Sequence, residues 1–308
     1  MLARVAEHLY WLGRYIERAE DTSRLFDATI NLMLDLPEDA PLNWANLVDA
    51  ITSEGDDGLA EPTETRVSRW LLLDSKNPAS IRSCIKAARE NARVARDQIP
   101  KDAWEGLNRM DLLLAEGSAV NMSRRKRSEL LRQVIWGCRH FSGVLHGSMS
   151  RDEAWQFLRL GLQMERADMS SRLLDFKTTS LLPDAEWIQD VDTTLGWMGI
   201  LQAQDGYEMY RHSVTNRVKP REALKFLLMD RSFPRSLVHA LGEVESGLLG
   251  LPVKASAPRE VRQTRQWVEN LPADNMSADD LSEAMDEFQS RLDLVHESIQ
   301  EAFFARNL

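Results

Sequence analysis

Residues 12–27 read LGRYIERAEDTSRLFD, and residues 160–175 read LGLQMERADMSSRLLD. Nine positions are identical: Leu12/Leu160, Gly13/Gly161, Glu17/Glu165, Arg18/Arg166, Ala19/Ala167, Ser23/Ser171, Arg24/Arg172, Leu25/Leu173 and Asp27/Asp175. Ordinary composition would give about one match by chance over such a stretch. A second pair of anchors follows at a similar offset. Trp70-Leu71-Leu72-Leu73-Asp74 precedes Pro78 and Ser80, as Phe226-Leu227-Leu228-Met229-Asp230 precedes Pro234 and Ser236. The anchors keep their order, so the chain reads as a duplicated unit of roughly 150 residues. Its copies are residues 1–148 and 149–308.

Outward from the first anchor, Leu2, Val5, Leu9, Leu12, Ile16, Ala19, Ser23, Phe26, Ile30 and Met33 step by three and four. That is one face of a long helix, which ends before Pro37 because proline cannot continue it. The acidic, Gly- and Pro-bearing segment 37–65 reads as loop with a short helix around Trp44–Ile51. The same periodicity predicts helices over 66–74, 78–98, 101–116, 124–148, 151–176, 185–203, 205–215, 220–229, 234–248, 258–270 and 278–306. Asn77 before Pro78 suggests an N-cap with proline at the first helical position, and Ser277 with Asp279 and Asp280 suggests an acid-rich helix start. No segment alternates as a strand does. The expected fold is all-α, an internally duplicated bundle of two pseudo-symmetric copies without a sheet.

Composition agrees with a globular chain: 308 residues, 43% apolar and 28% charged, with only 15 glycines and 11 prolines. A net charge of −10 argues against nucleic acid as a partner, since a phosphate backbone needs a basic face. The one basic run, Arg124-Arg125-Lys126-Arg127, has no interleaved aromatics and reads as a solvated helix start. Cys84 and Cys138 cannot build a disulfide framework, and free thiols suit a reducing interior. No apolar signal core and no run near the roughly 18 residues of a membrane span is present, so the expected location is the cytoplasm.

Glu17 and Arg18 lie off the apolar stripe, yet the same two positions a heptad earlier hold Tyr10 and Trp11, and a heptad later Arg24 and Leu25. The helix is therefore apolar on more than one side and belongs inside the bundle. A buried charge must be paired. Gly13, Glu17, Glu20 and Arg24 form one polar stripe, and Gly161, Glu165, Asp168 and Arg172 form its twin. If the copies pack about a two-fold axis, the stripes meet at the centre. Two roles then stand open: an ionic latch between the copies, or a pocket in which Arg holds a carboxylate or phosphate and Glu an amine or metal.

Other candidates are weaker. Asp74 and Asp230 suit a turn before a helix better than catalysis. Cys138 and His140 point to different helix faces. Asp293-x-x-His296 stands alone where a di-metal bundle needs two Glu-x-x-His motifs, so no metal site is expected. Tyr207, Tyr210 and Arg211 form an aromatic-basic cluster that suits a core edge or a pocket wall. No Gly-rich phosphate loop or nucleophile elbow occurs.

Three motifs in order, MLARVAEHLYWLGRYIERAE (1–20), RDEAW (151–155) with LGLQMERAD (160–168), and FLLMDRSFPRS (226–236), resemble the Alpha-E family of all-helical domains named for a Glu-Arg motif. The resemblance spans the chain, with Gly13 where many members carry another small residue. Its charged motif positions fall on Arg14, Glu17, Arg18, Glu165, Arg166, Asp230 and Arg235. Family members are typically encoded beside, or fused to, circularly permuted ATP-grasp proteins and transglutaminase-like proteases. That company implies an ATP-dependent amide- or peptide-forming system. The expected role is a helical component that binds the ligase partner or a small charged, peptide-like substrate through a central Glu-Arg site. The alternative is a non-catalytic scaffold latched by the same residues. ATP and Mg would be bound by the partner, with no cofactor on this chain. Arg18 and Arg166 would hold a carboxylate or acyl phosphate, and Glu17 and Glu165 would position an amine or the arginines themselves.

Overall fold

The computed structural model describes residues 1–35, 44–51, 59, 61–116, 122–181, 191–252 and 257–305. All regular structure among them is helical. The first half contributes α1 (Ala3–Asp35), α2 (Trp44–Ile51), α3 (Glu64–Leu72), α4 (Ile81–Val94), α5 (Lys101–Glu116) and α6 (Arg124–Ser148). The second begins with α7 (Glu153–Leu181), α8 (Val191–Ala203) and α9 (Tyr207–Ser213). It continues with α10 (Pro220–Met229), α11 (Leu237–Leu249), α12 (Ala257–Glu269) and α13 (Ala278–Ile299), which ends in a π turn over Gln300–Phe304. The first residues of the expected 185–203 helix, 185–190, lie outside the described residues.

The helix starts follow local chemistry. Ser80 and Ser236 cap α4 and α11 in the same way, each accepting from the backbone N–H three residues on. Each serine hydroxyl also donates to the carbonyl of the preceding aspartate, Asp74 or Asp230. The expected cap at Asn77 is corrected: Asn77 accepts from the Ala79 N–H within the turn, and the helix begins after Ser80. The 78–98 helix also ends early, at Val94, followed by a 3₁₀ turn over Arg96–Gln98. Ser277 and Asp280 form a reciprocal capping box on α13. In the basic run, Arg125 and Lys126 are exposed, but Arg127 is buried and pairs with Glu64, which also holds Arg124 through 2.9 and 3.0 Å bonds.

α1 and α7 form the spine, packed along one another. α4 and α6 lie against α1 with α5 outside them, and α11 and α13 lie against α7 with α12 outside them. Buried apolar residues from both halves make a continuous core. The spine helices cross at the two glycines. A β-carbon on Gly13 would stand 2.2 Å from the Leu158 carbonyl oxygen, and one on Gly161 would stand 1.8 Å from the Tyr10 carbonyl oxygen. Those obstacles are backbone, so a side chain there would force the spine apart.

Candidate functional site

One helical turn beyond each glycine stands the glutamate of a Glu-Arg pair. Each glutamate is held by the arginine of the other helix. Arg166 donates from Nε and Nη2 to the two Glu17 oxygens at 2.6 and 3.0 Å. Arg18 does the same for Glu165, from Nε to one oxygen and from Nη2 to the other at 3.1 Å. These are fork-to-fork pairs, the strongest arrangement available to a guanidinium and a carboxylate. Glu17 and Glu165 are 1% and 0% exposed, so neither carboxylate is solvated.

A second arginine completes each glutamate, and here the halves differ. Glu165 takes the Nε–H of Arg14 at 2.5 Å, from one turn earlier on α1. Glu17 instead takes Nη1 of Arg235, at 2.8 Å, from the turn before α11. Arg235 also binds Asp21 at 2.7 Å and Glu20 at 3.1 Å. Arg24 pairs with Asp21 and donates to the Ala203 carbonyl at 2.5 Å, while Arg172 pairs with Asp168 at 3.0 Å. Arg139 of α6 closes the rim, on Glu20 at 3.4 Å and Asp205 at 2.8 Å.

Electrostatics follow from this wiring. Burial alone would raise the carboxyl of Glu17, but Arg166 and then Arg235 outweigh it and hold it at about 2. For Glu165 burial is likewise the largest influence, overcome by Arg18 and Arg14, and the carboxyl again sits at about 2. Asp21 goes the other way: burial pushes it up to about 6 against the pull of Arg235 and Arg24. Both glutamates are ionised and saturated by donors at neutral pH. Neither is poised as a general base, which needs a pKa near the working pH.

The structure brings together Arg14, Glu17, Arg18, Arg24, Glu165, Arg166, Asp168 and Arg172, with Arg235, Glu20 and Asp21. The two polar stripes meet and interlock at the spine. A small cavity of about 60 Å³ remains beside Arg18, Thr22, Asp168 and Arg172. Tyr10 is wholly buried, its hydroxyl 2.8 Å from His296 Nδ1, and Arg14 lies over the Trp11 ring at 5.6 Å. Burial, then the charge of Arg14, depresses His296 to about 4. Asp230 stands apart, accepting from the Ser232 and Phe233 N–H groups in a turn. Tyr207 and Arg211 pair with each other on α9, 5.7 Å apart. Cys84 and Cys138 are buried free thiols, and burial pushes Cys84 to about 12. Among the described residues no group of three His, Cys, Asp or Glu is placed to hold a metal ion. No helix among them is long and apolar enough to cross a membrane.

Asp21 escapes sequence reasoning because its counterpart is Met169, so the repeat does not flag it. Arg235 is reached through the family motif alone, since Ala79 occupies its place in the first anchor.

The chain is similar to uncharacterized proteins of Mycobacterium bovis and Mycobacterium tuberculosis, each 26% identical over 281 residues, which cover 84% of this chain. It spans about a third of those relatives, 31% of their length. No solved structure matches it. The Alpha-E model, described as a predicted alpha-helical domain with a conserved ER motif, matches residues 1–304. With its two Glu-Arg motifs cross-paired and the family model matching nearly the whole chain, the chain belongs to the Alpha-E family.

Proposed function

We propose that this chain is the helical component of an ATP-grasp-associated amide-ligase system, and that its Glu-Arg motifs are a structural latch. The carrying observation is the reciprocal pairing of Glu17 with Arg166 and Glu165 with Arg18, which leaves neither glutamate free to react. A latch of this kind sets the register of two helices more than it adds net stability, because desolvation offsets much of the Coulomb gain. The relatives are about three times longer than the chain, consistent with a helical region working beside other modules. ATP and Mg belong to the ATP-grasp partner in this reading, and a transglutaminase-like protease is a further associate. The cytoplasm is its compartment, in keeping with the two free thiols.

The latch also supports descent from a duplicated unit, residues 1–148 and 149–308. Three matched devices favour it: the cross-paired Glu-Arg motifs, the Ser80 and Ser236 caps, and a serine on a spine aspartate in each half. Ser128 donates to Asp27 at 2.7 Å, and Ser282 donates to Asp175 at 2.6 Å.

The test is co-purification with the neighbouring ATP-grasp protein, followed by measurement of ADP and amide product with and without this chain. Retention of the partner, with product formed only when both are present, is expected. The Glu17→Gln/Glu165→Gln variant should still bind the partner in its folded fraction. Failure to associate, or product formation indifferent to this chain, would remove the ligase reading.

A further inference from the structure

Beyond the latch, on the outer side of Arg166, lies a pocket of about 320 Å³ between α6, α7 and the start of α11. That volume is at the lower end of small-molecule sites. Its walls are largely apolar, with Leu145, Leu158, Leu162 and the Trp155 ring. A few polar groups converge on it.

Gln163 is 7% exposed, lines the pocket, and carries a buried side-chain oxygen with no hydrogen-bond donor among the described residues. A buried acceptor left unpaired is destabilising, so it calls for a partner. Arg166 offers the complementary group. Glu17 uses its Nε and Nη2, and among the described residues its Nη1 donates to no acceptor.

Two histidines add acceptors. His146 Nδ1 lies 3.1 Å from the Ser142 carbonyl, and His239 Nδ1 lies 2.8 Å from the Arg231 carbonyl. A carbonyl only accepts, so each Nδ1 carries the hydrogen, and in that tautomer Nε2 presents the lone pair. Glu243, paired with Arg159, completes the acceptor side.

The geometry points to a binding site for an α-amino acid or dipeptide with an apolar side chain. Its carboxylate meets Arg166, its amino group meets Gln163 and the histidine and Glu243 acceptors, and its side chain lies on Trp155 and the leucines. A simple anion would leave the acceptors unmatched, and a simple amine would leave Arg166 unmatched. The corresponding α1 positions, 148 residues earlier, hold Trp11, Arg14 and Tyr15 in place of Arg159, Leu162 and Gln163. The first half thus carries two aromatic rings and a latch arginine where the second carries pocket walls. This site goes beyond the ligase reading and does not depend on it, because it needs no partner.

The test is calorimetric titration of the full chain at neutral pH with L-leucine, L-phenylalanine and alanyl-leucine, alongside leucinamide and N-acetyl-leucine. At least one zwitterion should bind one to one, with affinity at least about ten-fold above the analogues that lack a terminal charge. Gln163→Leu removes an unpaired acceptor, so it should melt no lower than the parent while binding at least about ten-fold more weakly. Ser142→Trp, on the half-exposed rim, should block the pocket without entering the core. No saturation by any zwitterion below about 10 mM, equal binding of the charge-lacking analogues, or binding untouched in both variants would overturn the assignment.

Discussion

Removing one latch glutamate should cost more than removing the other, and the difference can be worked from their partners. Glu165 accepts from Arg14 at 2.5 Å and from both ends of the Arg18 fork. After Glu165→Gln, Arg14 keeps only long contacts, Asp168 at 3.6 Å and the Tyr10 hydroxyl at 3.5 Å, and among the described residues Arg18 has no other acid paired with it. Arg18 is stranded in the spine and Arg14 is left with weak partners alone. The loss should fall in the range for an orphaned buried charge, about 3–5 kcal/mol. Glu17→Gln strands one, because Arg235 keeps Asp21 at 2.7 Å and Glu20 at 3.1 Å. The remaining loss is that of the Arg166 fork, about 1.5–3 kcal/mol. Urea unfolding followed by helical circular dichroism measures both. An equal or larger cost for Glu17→Gln, or a cost under about 1 kcal/mol for Glu165→Gln, would refute this reasoning.

The glycines supply a contrast: Gly161→Ala should destabilise by about 1–3 kcal/mol or more through backbone overlap. Gly143→Ala on α6, where nothing lies within 4 Å, should stabilise by up to about 1 kcal/mol; thermal melts distinguish the signs. Acid lowers stability in two steps that variants separate. His296 falls from 6.5 to about 4 in the fold, so its contribution is complete above pH 6.5 and drains as pH drops toward 4. His296→Asn should lack that step in pH-dependent unfolding. Glu17 and Glu165, lowered from 4.5 to about 2, contribute fully above pH 4.5 and lose their contribution as pH falls toward 2. Asp21, raised from 3.8 to about 6, opposes His296, contributing most below pH 3.8. Each step is therefore read as variant minus parent. Finally, Cys84 and Cys138 should resist alkylation at neutral pH in the folded chain and react on unfolding, because burial raises both thiols.

Much of the architecture is legible in the residues because helix periodicity and caps are local. The spans Trp44–Ile51, Lys101–Glu116 and Arg124–Ser148 coincide with the observed helices. The Asn77 reading fails because an asparagine can serve a turn as readily as a cap, and Ser80 competes for the same role. The doubled Glu-Arg motif shows that charge lies in the spine, but which arginine serves which glutamate depends on how closely α1 and α7 approach. That approach is written in Gly13 and Gly161, whose meaning emerges only when the helices cross. The pocket gives the weakest signal: Gln163 and Arg159 are ordinary polar residues until set against Tyr15 and Trp11. Where the two halves differ along the spine is more informative about binding than where they agree.

The latch itself is tested most directly by double-mutant cycles on unfolding free energy for Glu17–Arg166 and Glu165–Arg18, with the sequence neighbours Glu17–Arg18 as the control. Cross-helix pairing predicts coupling of about 1.5 kcal/mol or more within each pair and a few tenths in the control. Coupling confined to the control, or absent from both cross-helix pairs, would contradict it.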